Sequence, residues 1–287
     1  MPTGQPSDRR RAPGFVGLAG HPVRWGLLTE LAHSDRHVNE LTGLLGEPQA
    51  LVSYHLGRLR DGGLVSARRS SHDGRASYYT LDLRRCGEAL AATGTALHPG
   101  ISLRLASPSP RPRGQARGQA SRPRVRVLFA CTGNGARSQI AEALLQHRGG
   151  DRVEVASGGS RPKPIHPNAI RVLAERGIDI SDRRSKPLTE FDGRRFDHVV
   201  TLCDKVREVC PEFTTPRRTI HWSIADPSAT PGPNRTTLPG FRDLAALLDE
   251  RVGFLLAGID QNDRDNDRDH DHEETHDHDH EETHDHD

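Results

Sequence analysis

Few cysteines and few aromatic residues are present: four cysteines, two tryptophans, three tyrosines and seven phenylalanines in 287 residues. Cysteines at 86, 131, 203 and 210 are too sparse and uneven for a secreted disulfide scaffold, which leaves redox or nucleophilic chemistry as their use. No apolar run approaches the roughly 20 residues that cross a bilayer, and residues 1–12 are arginine-rich with no apolar signal core behind them. A cytoplasmic location and no membrane partner are therefore expected. At 33% hydrophobic and 4% aromatic, with 28 Gly and 20 Pro, the chain must hold linkers or tails beside its packed domains. Net charge is also nearly lacking, at +1, but this conceals a partition. Residues 260–287 hold 14 acids and two arginines, net −12, which leaves +13 for residues 1–259.

The densest chemistry lies in Val127-Leu-Phe-Ala-Cys131-Thr-Gly-Asn-Gly-Ala-Arg137-Ser138. Strand character over 125–130 delivers Cys131, and a helical pattern over 139–146 follows. Gly133 and Gly135 allow successive N–H groups to turn inward, and the helix points its positive end into the same space. Arg137 adds a planar fork. Thr132, Gly133, Asn134, Gly135, Ala136, Arg137 and Ser138 thus read as an oxyanion cradle around Cys131. Among such donors the thiol pKa is expected below the free value of about 8.5. The alternative is a buried core cysteine that merely ends a strand.

This stretch resembles the active-site loop of the thioredoxin-coupled arsenate reductases, which share the low-molecular-weight tyrosine phosphatase fold. The Cys-x5-Arg-Ser pattern alone does not separate reductase from phosphatase. Two further features bear on it. Val199-Val-Thr-Leu-Cys203-Asp-Lys-Val-Arg-Glu-Val-Cys210 sets two cysteines seven residues apart across a short helix-like segment. His221-Trp-Ser-Ile-Ala-Asp226-Pro227 holds a carboxylate fixed by a following proline, at the position of the fold's general acid. The resemblance implies that arsenate binds the loop and Arg137, and that Cys131 attacks arsenic while Asp226 protonates the departing hydroxide. Cys203 then attacks Cys131 with reduction of As(V) to As(III) and release of arsenite, and Cys210 attacks Cys203 to leave a disulfide for thioredoxin. No cofactor is required by this scheme, and the potassium site of some relatives does not map, because Ser185-Lys-Pro-Leu188 occupies the region needing a carboxylate. Gly135 replaces the usual serine, which implies a more flexible loop. A phosphatase is the competing reading; against it, Ala136 stands where such enzymes tend to carry a second loop cysteine, and no tyrosine follows Asp226.

Residues 13–104 carry helical patterns over 23–33, 38–45 and 48–61, then strands over 64–69 and 76–83 joined by a basic turn. Residues 1–123 hold 17 arginines, no lysine and nine acids, as suits phosphate contact. Ser53-Tyr-His55-Leu-Gly-Arg58-Leu-Arg60 with the arginine-rich wing resembles the ArsR family of winged-helix repressors. The resemblance implies that Gln49, Ser53, Tyr54 and His55 face the major groove of double-stranded DNA, that Arg58, Arg60, Arg68, Arg69 and Arg75 serve phosphates or the minor groove, and that the domain forms a homodimer. Cys86 is the domain's lone cysteine, so the family's metalloid-sensing pair is missing.

The expected fold is two domains: an N-terminal α+β winged helix-turn-helix over 13–104 and a C-terminal α/β domain with a central parallel sheet over 124–259. Segment 1–12, the Pro- and Arg-rich linker 105–123 and the tail 260–287 are expected to be disordered. In that tail an eight-residue repeat spaces His270, His272, His276, His278, His280, His284 and His286 among carboxylates, a composition suited to loose divalent-metal binding or to mere solvation. Two kinds of function stay open: an enzyme with a tethered DNA module, and a transcriptional regulator whose thiol domain is its sensor.

Overall fold

The computed structural model describes residues 14–103, 124–209, 218–229 and 232–277. Segment 1–12, the linker 105–123, Cys210 and the tail beyond 277 lie outside the described residues, as do the side chains of His270, His272 and His276.

The first domain opens with α1 (Gly14–Ala19) and α2 (Pro22–His33), followed by the short β1 (Arg36–His37) and the pair α3 (Val38–Leu45) and α4 (Gln49–Asp61). Gly46 turns the chain between that pair in the left-handed region, φ 67°, where a side chain is disfavoured. The wing is β2 (Val65–Arg69) and β3 (Ser77–Leu81), antiparallel, with β1 on the far side of β3. Apolar residues at helical spacing, Leu27 and Leu31 on α2 with Val52, Leu56 and Leu59 on α4, close a core of their own. Helix α5 (Leu83–Leu97), capped by the Asp82 carboxylate on the Arg85 N–H, was not anticipated.

The second domain alternates β4 (Val125–Cys131), α6 (Arg137–Gly149), β5 (Val153–Gly159), α7 (Pro167–Ala174), β6 (His198–Thr201), α8 (Asp204–Val209), β7 (Arg218–His221) and α9 (Asn234–Asp277). Its four strands are all parallel, in the order β5-β4-β6-β7. Strand β4 is buried without a break from Val127 to Cys131, as a central strand covered on both faces must be. Both β4 and β6 end towards Cys131 and Cys203, so the thiols gather at the C-terminal edge of the sheet.

Composition predicts irregular chain from residue 260, but α9 continues to Asp277. No Gly or Pro follows Gly258, so no local breaker stops the helix. The two apolar cores are separate, and polar residues join the domains. Strand β7 lies at the sheet edge, and the first domain covers it: the Asp35 N–H donates to the His221 carbonyl at 2.8 Å and the His221 N–H donates to Ser34 Oγ at 2.9 Å.

Candidate active site and domain interface

Four loop carbonyls are taken by one neighbouring segment. Ser160 N–H donates to Cys131 O at 3.2 Å, Arg161 to Thr132 O at 2.8 Å, Lys163 to Gly133 O at 2.8 Å and His166 to Gly135 O at 2.8 Å. With those carbonyls turned outward, the Asn134 N–H turns in and lies 3.1 Å from Cys131 Sγ. Ser138 Oγ is 3.0 Å from the same sulfur, which is 2% exposed.

Asn134 adopts φ 46°, a strained value for a residue with a side chain. Four partners hold it there. Its Nδ2 donates to Ser138 Oγ at 2.9 Å and Ser157 Oγ at 2.7 Å, while its Oδ1 accepts from Gln139 Nε2 at 3.0 Å and the Lys186 N–H at 2.7 Å. Lys186 also sets its ammonium 3.2 Å from Glu142. Sequence reasoning missed Ser157, Gln139 and Lys186 because no local motif links them. Gly135 is tightly placed, contrary to the flexibility expected of it: an added Cβ would stand 2.8 Å from the Pro164 carbonyl oxygen.

Arg137 is 6% exposed. Its Nη1 donates to Ile224 O at 2.8 Å and Leu202 O at 3.3 Å, and its Nη2 to Asp226 Oδ2 at 2.9 Å. Burial works to raise the Asp226 pKa, but the Arg137 charge and the Ser228 N–H and hydroxyl outweigh it and hold the carboxyl below its ordinary value. Cys203, 2% exposed, lies with Sγ 3.2 Å from Thr132 Oγ1, one residue past Cys131. Burial pushes its thiol up, against the opposing pull of Arg137 and Thr132. Cys131, Arg137, Cys203 and Asp226 therefore surround one space. Such an arrangement has the chemistry to hold an oxyanion beside a thiol, with a carboxyl and a second thiol at hand.

A family model described as low molecular weight phosphotyrosine protein phosphatase matches residues 126–265, and one described as MarR family matches residues 19–76. The arsenate reductase of Halalkalibacterium halodurans is 33% identical over 126 residues, which is 44% of this chain and 91% of that protein. The chain belongs to the arsenate reductases of the low-molecular-weight phosphatase fold. The glutaredoxin arsenate reductase of Synechocystis is 34% identical over 134 residues, 47% of this chain and 98% of the relative. A solved structure described as an arsenate reductase in the phosphate binding state is 33% identical and covers 47% of this chain and 98% of its own, with TM-score 0.42. For the first domain the matching description is MarR, where the sequence resemblance suggested ArsR; the winged helix-turn-helix architecture is common to both readings.

In the MarR-like domain Gln49, Ser53, Tyr54, Arg58, Arg60, Arg69 and Arg75 are exposed. His55 is not available to a groove. It is 3% exposed, packs its ring at a tilt against His21 with centroids 4.2 Å apart, and shares the inward face of α4 with Val52, Leu56 and Leu59. Burial, then the charges of His21 and Arg24, lower its pKa. Arg68 also departs from its expected place. Its Nη2 donates to both oxygens of Asp204, at 2.9 and 2.7 Å, and to the Ser223 hydroxyl, in the reductase domain. The guanidinium found a buried carboxylate, which binds it better than a solvated surface position does. Around this pair the Ser71 N–H and hydroxyl donate to Asp204 at 2.6 and 2.8 Å, the Ser70 hydroxyl to Glu208 at 2.8 Å, and Arg207 to Glu40 at 2.8 Å.

Cys86 lies in α5 and burial pushes its thiol up to about 11, with Asp82 adding to the rise. It is protonated at neutral pH and a poor nucleophile. Among the described residues no group of three or more His, Cys, Asp or Glu could hold a metal ion, and no helix is long and apolar enough to cross a membrane.

Proposed function

We propose that the reductase domain reduces arsenate to arsenite by a three-cysteine relay, and that the winged-helix domain binds double-stranded DNA to regulate arsenic resistance. The observation that carries the first part is the second buried thiol, Cys203, against the loop of the first, with Thr132 Oγ1 3.2 Å from its sulfur. A phosphatase has no use for it. The site residues take the roles that the resemblance implies: Cys131 as nucleophile, Arg137 and the loop amides as oxyanion donors, and Asp226 as general acid.

In the free protein Asp226 is paired with Arg137 and its pKa is depressed, so it is ionised at neutral pH. Arsenate competes for the Arg137 fork with its own negative charge. Once the cation is drawn to the oxyanion, Asp226 sits half-buried beside an anion, and its pKa rises towards that of a proton donor. Cys131 attacks As(V), and the departing hydroxide leaves as water with the Asp226 proton. Cys203 attacks Cys131 Sγ; the sulfur–arsenic bond breaks with its electron pair kept by arsenic, which leaves as arsenite, and a Cys131–Cys203 disulfide forms. Cys210 displaces Cys131 and forms a Cys203–Cys210 disulfide, which a thioredoxin dithiol reduces.

Arsenate turnover with thioredoxin and thioredoxin reductase tests this reading. Cys131→Ser should abolish it, and Cys210→Ser should permit about one turnover. Full multiple turnover in Cys210→Ser would sink the relay and point to a low-molecular-weight thiol or a glutaredoxin as reductant. Phosphatase action needs only Cys131, Arg137 and Asp226, so a weak phosphatase activity should survive Cys203→Ser.

The exposed polar face of α4 and the arginines of α4 and the wing support DNA binding. An apolar groove lined by Phe15, Val16, Trp25 and Leu90 of α1, α2 and α5 supports the homodimer. Four cysteines, too sparse and uneven for a disulfide scaffold, suit a reducing, cytoplasmic compartment.

A further inference from the structure

We propose that Arg68 of the winged-helix domain is a positioning residue for Cys203, acting across the domain boundary through Asp204. The inference rests on the reading of Cys203 as a reacting thiol. Asp204 directly follows that thiol and begins α8, with Cys203 O accepting the Arg207 N–H at 3.3 Å in the first turn. The place of Cys203 Sγ is thus tied to where the start of α8 is held.

Asp204 is fully buried, and its carboxylate is the point at which α8 is held. From the reductase domain it receives the Ser223 hydroxyl at 2.8 Å, with His221 Nε2 at 3.3 Å. From the winged-helix domain it receives Arg68 at 2.7 Å and both donors of Ser71, at 2.6 and 2.8 Å. Among the described residues the sole arginine on this carboxylate therefore comes from the other domain. Without it a buried anion keeps only neutral or weakly basic partners and is driven towards water. The start of α8 moves with Asp204, and Cys203 leaves the side of Thr132. Cys131 itself is held by a different set of bonds, to Ser138, Asn134 and the 160–166 segment, and stays in place.

Two readouts on the full-length reduced protein test this. The first is iodoacetamide labelling of each cysteine, resolved by peptide mass mapping. Arg68→Ala is expected to label Cys203 about tenfold faster, as local opening of a buried thiol becomes easier, with Cys131 changed by less than about twofold. Arg68→Lys should fall between, because lysine restores the charge but not the fork. Asp204→Asn should match Arg68→Ala, and the double variant should add nothing further. The second readout is arsenate turnover, where kcat should fall about tenfold in Arg68→Ala with KM unchanged.

Equal Cys203 labelling in wild type and Arg68→Ala would overturn the proposal, and so would parallel acceleration of Cys131 and Cys203, which marks general loosening. If Arg68→Ala does not fold, Asp204→Asn and Arg68→Lys decide by the same labelling criterion. A wild type without arsenate turnover would remove the reductase reading, while the labelling would still decide the role of Arg68.

Discussion

Gly135 is the position in the oxyanion loop where a side chain costs most. A Cβ there meets the Pro164 carbonyl oxygen at 2.8 Å, and Gly135 O accepts the His166 N–H at 2.8 Å, so neither strand of the contact is free to give way. Gly135→Ser is expected to destabilise by about 1–3 kcal/mol, read as a lowered urea midpoint; an unchanged midpoint would mean that the 160–166 segment yields easily. At Asp226, removal of the acid with retention of shape separates chemistry from binding. Asp226→Asn should lower kcat by about a hundredfold or more with little change in the arsenate KM, and equal kcat would exclude it as proton donor. Cys86, with its thiol pushed up to about 11, is expected to be alkylated slowly below pH 9, and Cys86→Ala should leave turnover intact.

The element that most needs its neighbours is β7, an edge strand whose outer side is closed by Ser34 and Asp35. Asp35 accepts the Ser223 N–H at 2.7 Å and Arg251 Nη1 at 3.2 Å, and Arg251 in turn lies over the Trp222 ring at 5.6 Å. Helix α8 is the second such element. Burial works to raise the Asp204 pKa, but hydrogen bonds from His221, Ser71 and Ser223 outweigh it and leave the carboxyl well below its ordinary value. A depressed folded value means that the stabilisation is present above the unfolded pKa of about 3.9 and is lost as pH falls through the folded value. Urea midpoints should therefore fall on acidification below about pH 4, and Asp204→Asn should flatten that slope; an identical slope in the variant would assign the acid lability to other carboxylates. At this scale α2, α3 and α4 were legible because their apolar residues recur at helical spacing over a buried face. Helix α5 was not, since only its glycines 87 and 94 are buried and Leu90 and Leu97 are exposed. The short β1 pairs two residues with β3 and has no local signal at all.

At the scale of the molecule the two domains share a guanidinium. If DNA phosphates draw Arg68 from Asp204, duplex binding and the docked state oppose one another, and linkage requires the effect to be mutual. Saturating duplex DNA is expected to accelerate Cys203 labelling as Arg68→Ala does; unchanged labelling would mean that the wing binds DNA without leaving α8. The charge partition supplies a second long-range effect. Residues 260–287 carry −12 against +8 for residues 1–123, so deletion of the tail should tighten DNA binding at low salt and have less effect at high salt, and unchanged affinity would rule out competition by the tail.

By itself the amino-acid sequence determined the local pattern within each domain: the Cys131 loop, the second thiol at Cys203, the Asp226-Pro turn, the alternation of strand and helix, and the wing. Each is written in short-range order, as a period, a turn or a spacing along one stretch of chain. Tertiary structure alone decided what lies between those stretches. It turned His55 inward because α4 needs four residues for its buried face, and it braced Asn134 with Ser157, Gln139 and Lys186. It set Arg68 on Asp204, 136 residues apart, because a buried carboxylate at the start of α8 needs a cation, and among the described residues no arginine or lysine of its own domain reaches it. Such pairings follow from burial and charge balance in three dimensions, for which no local pattern exists.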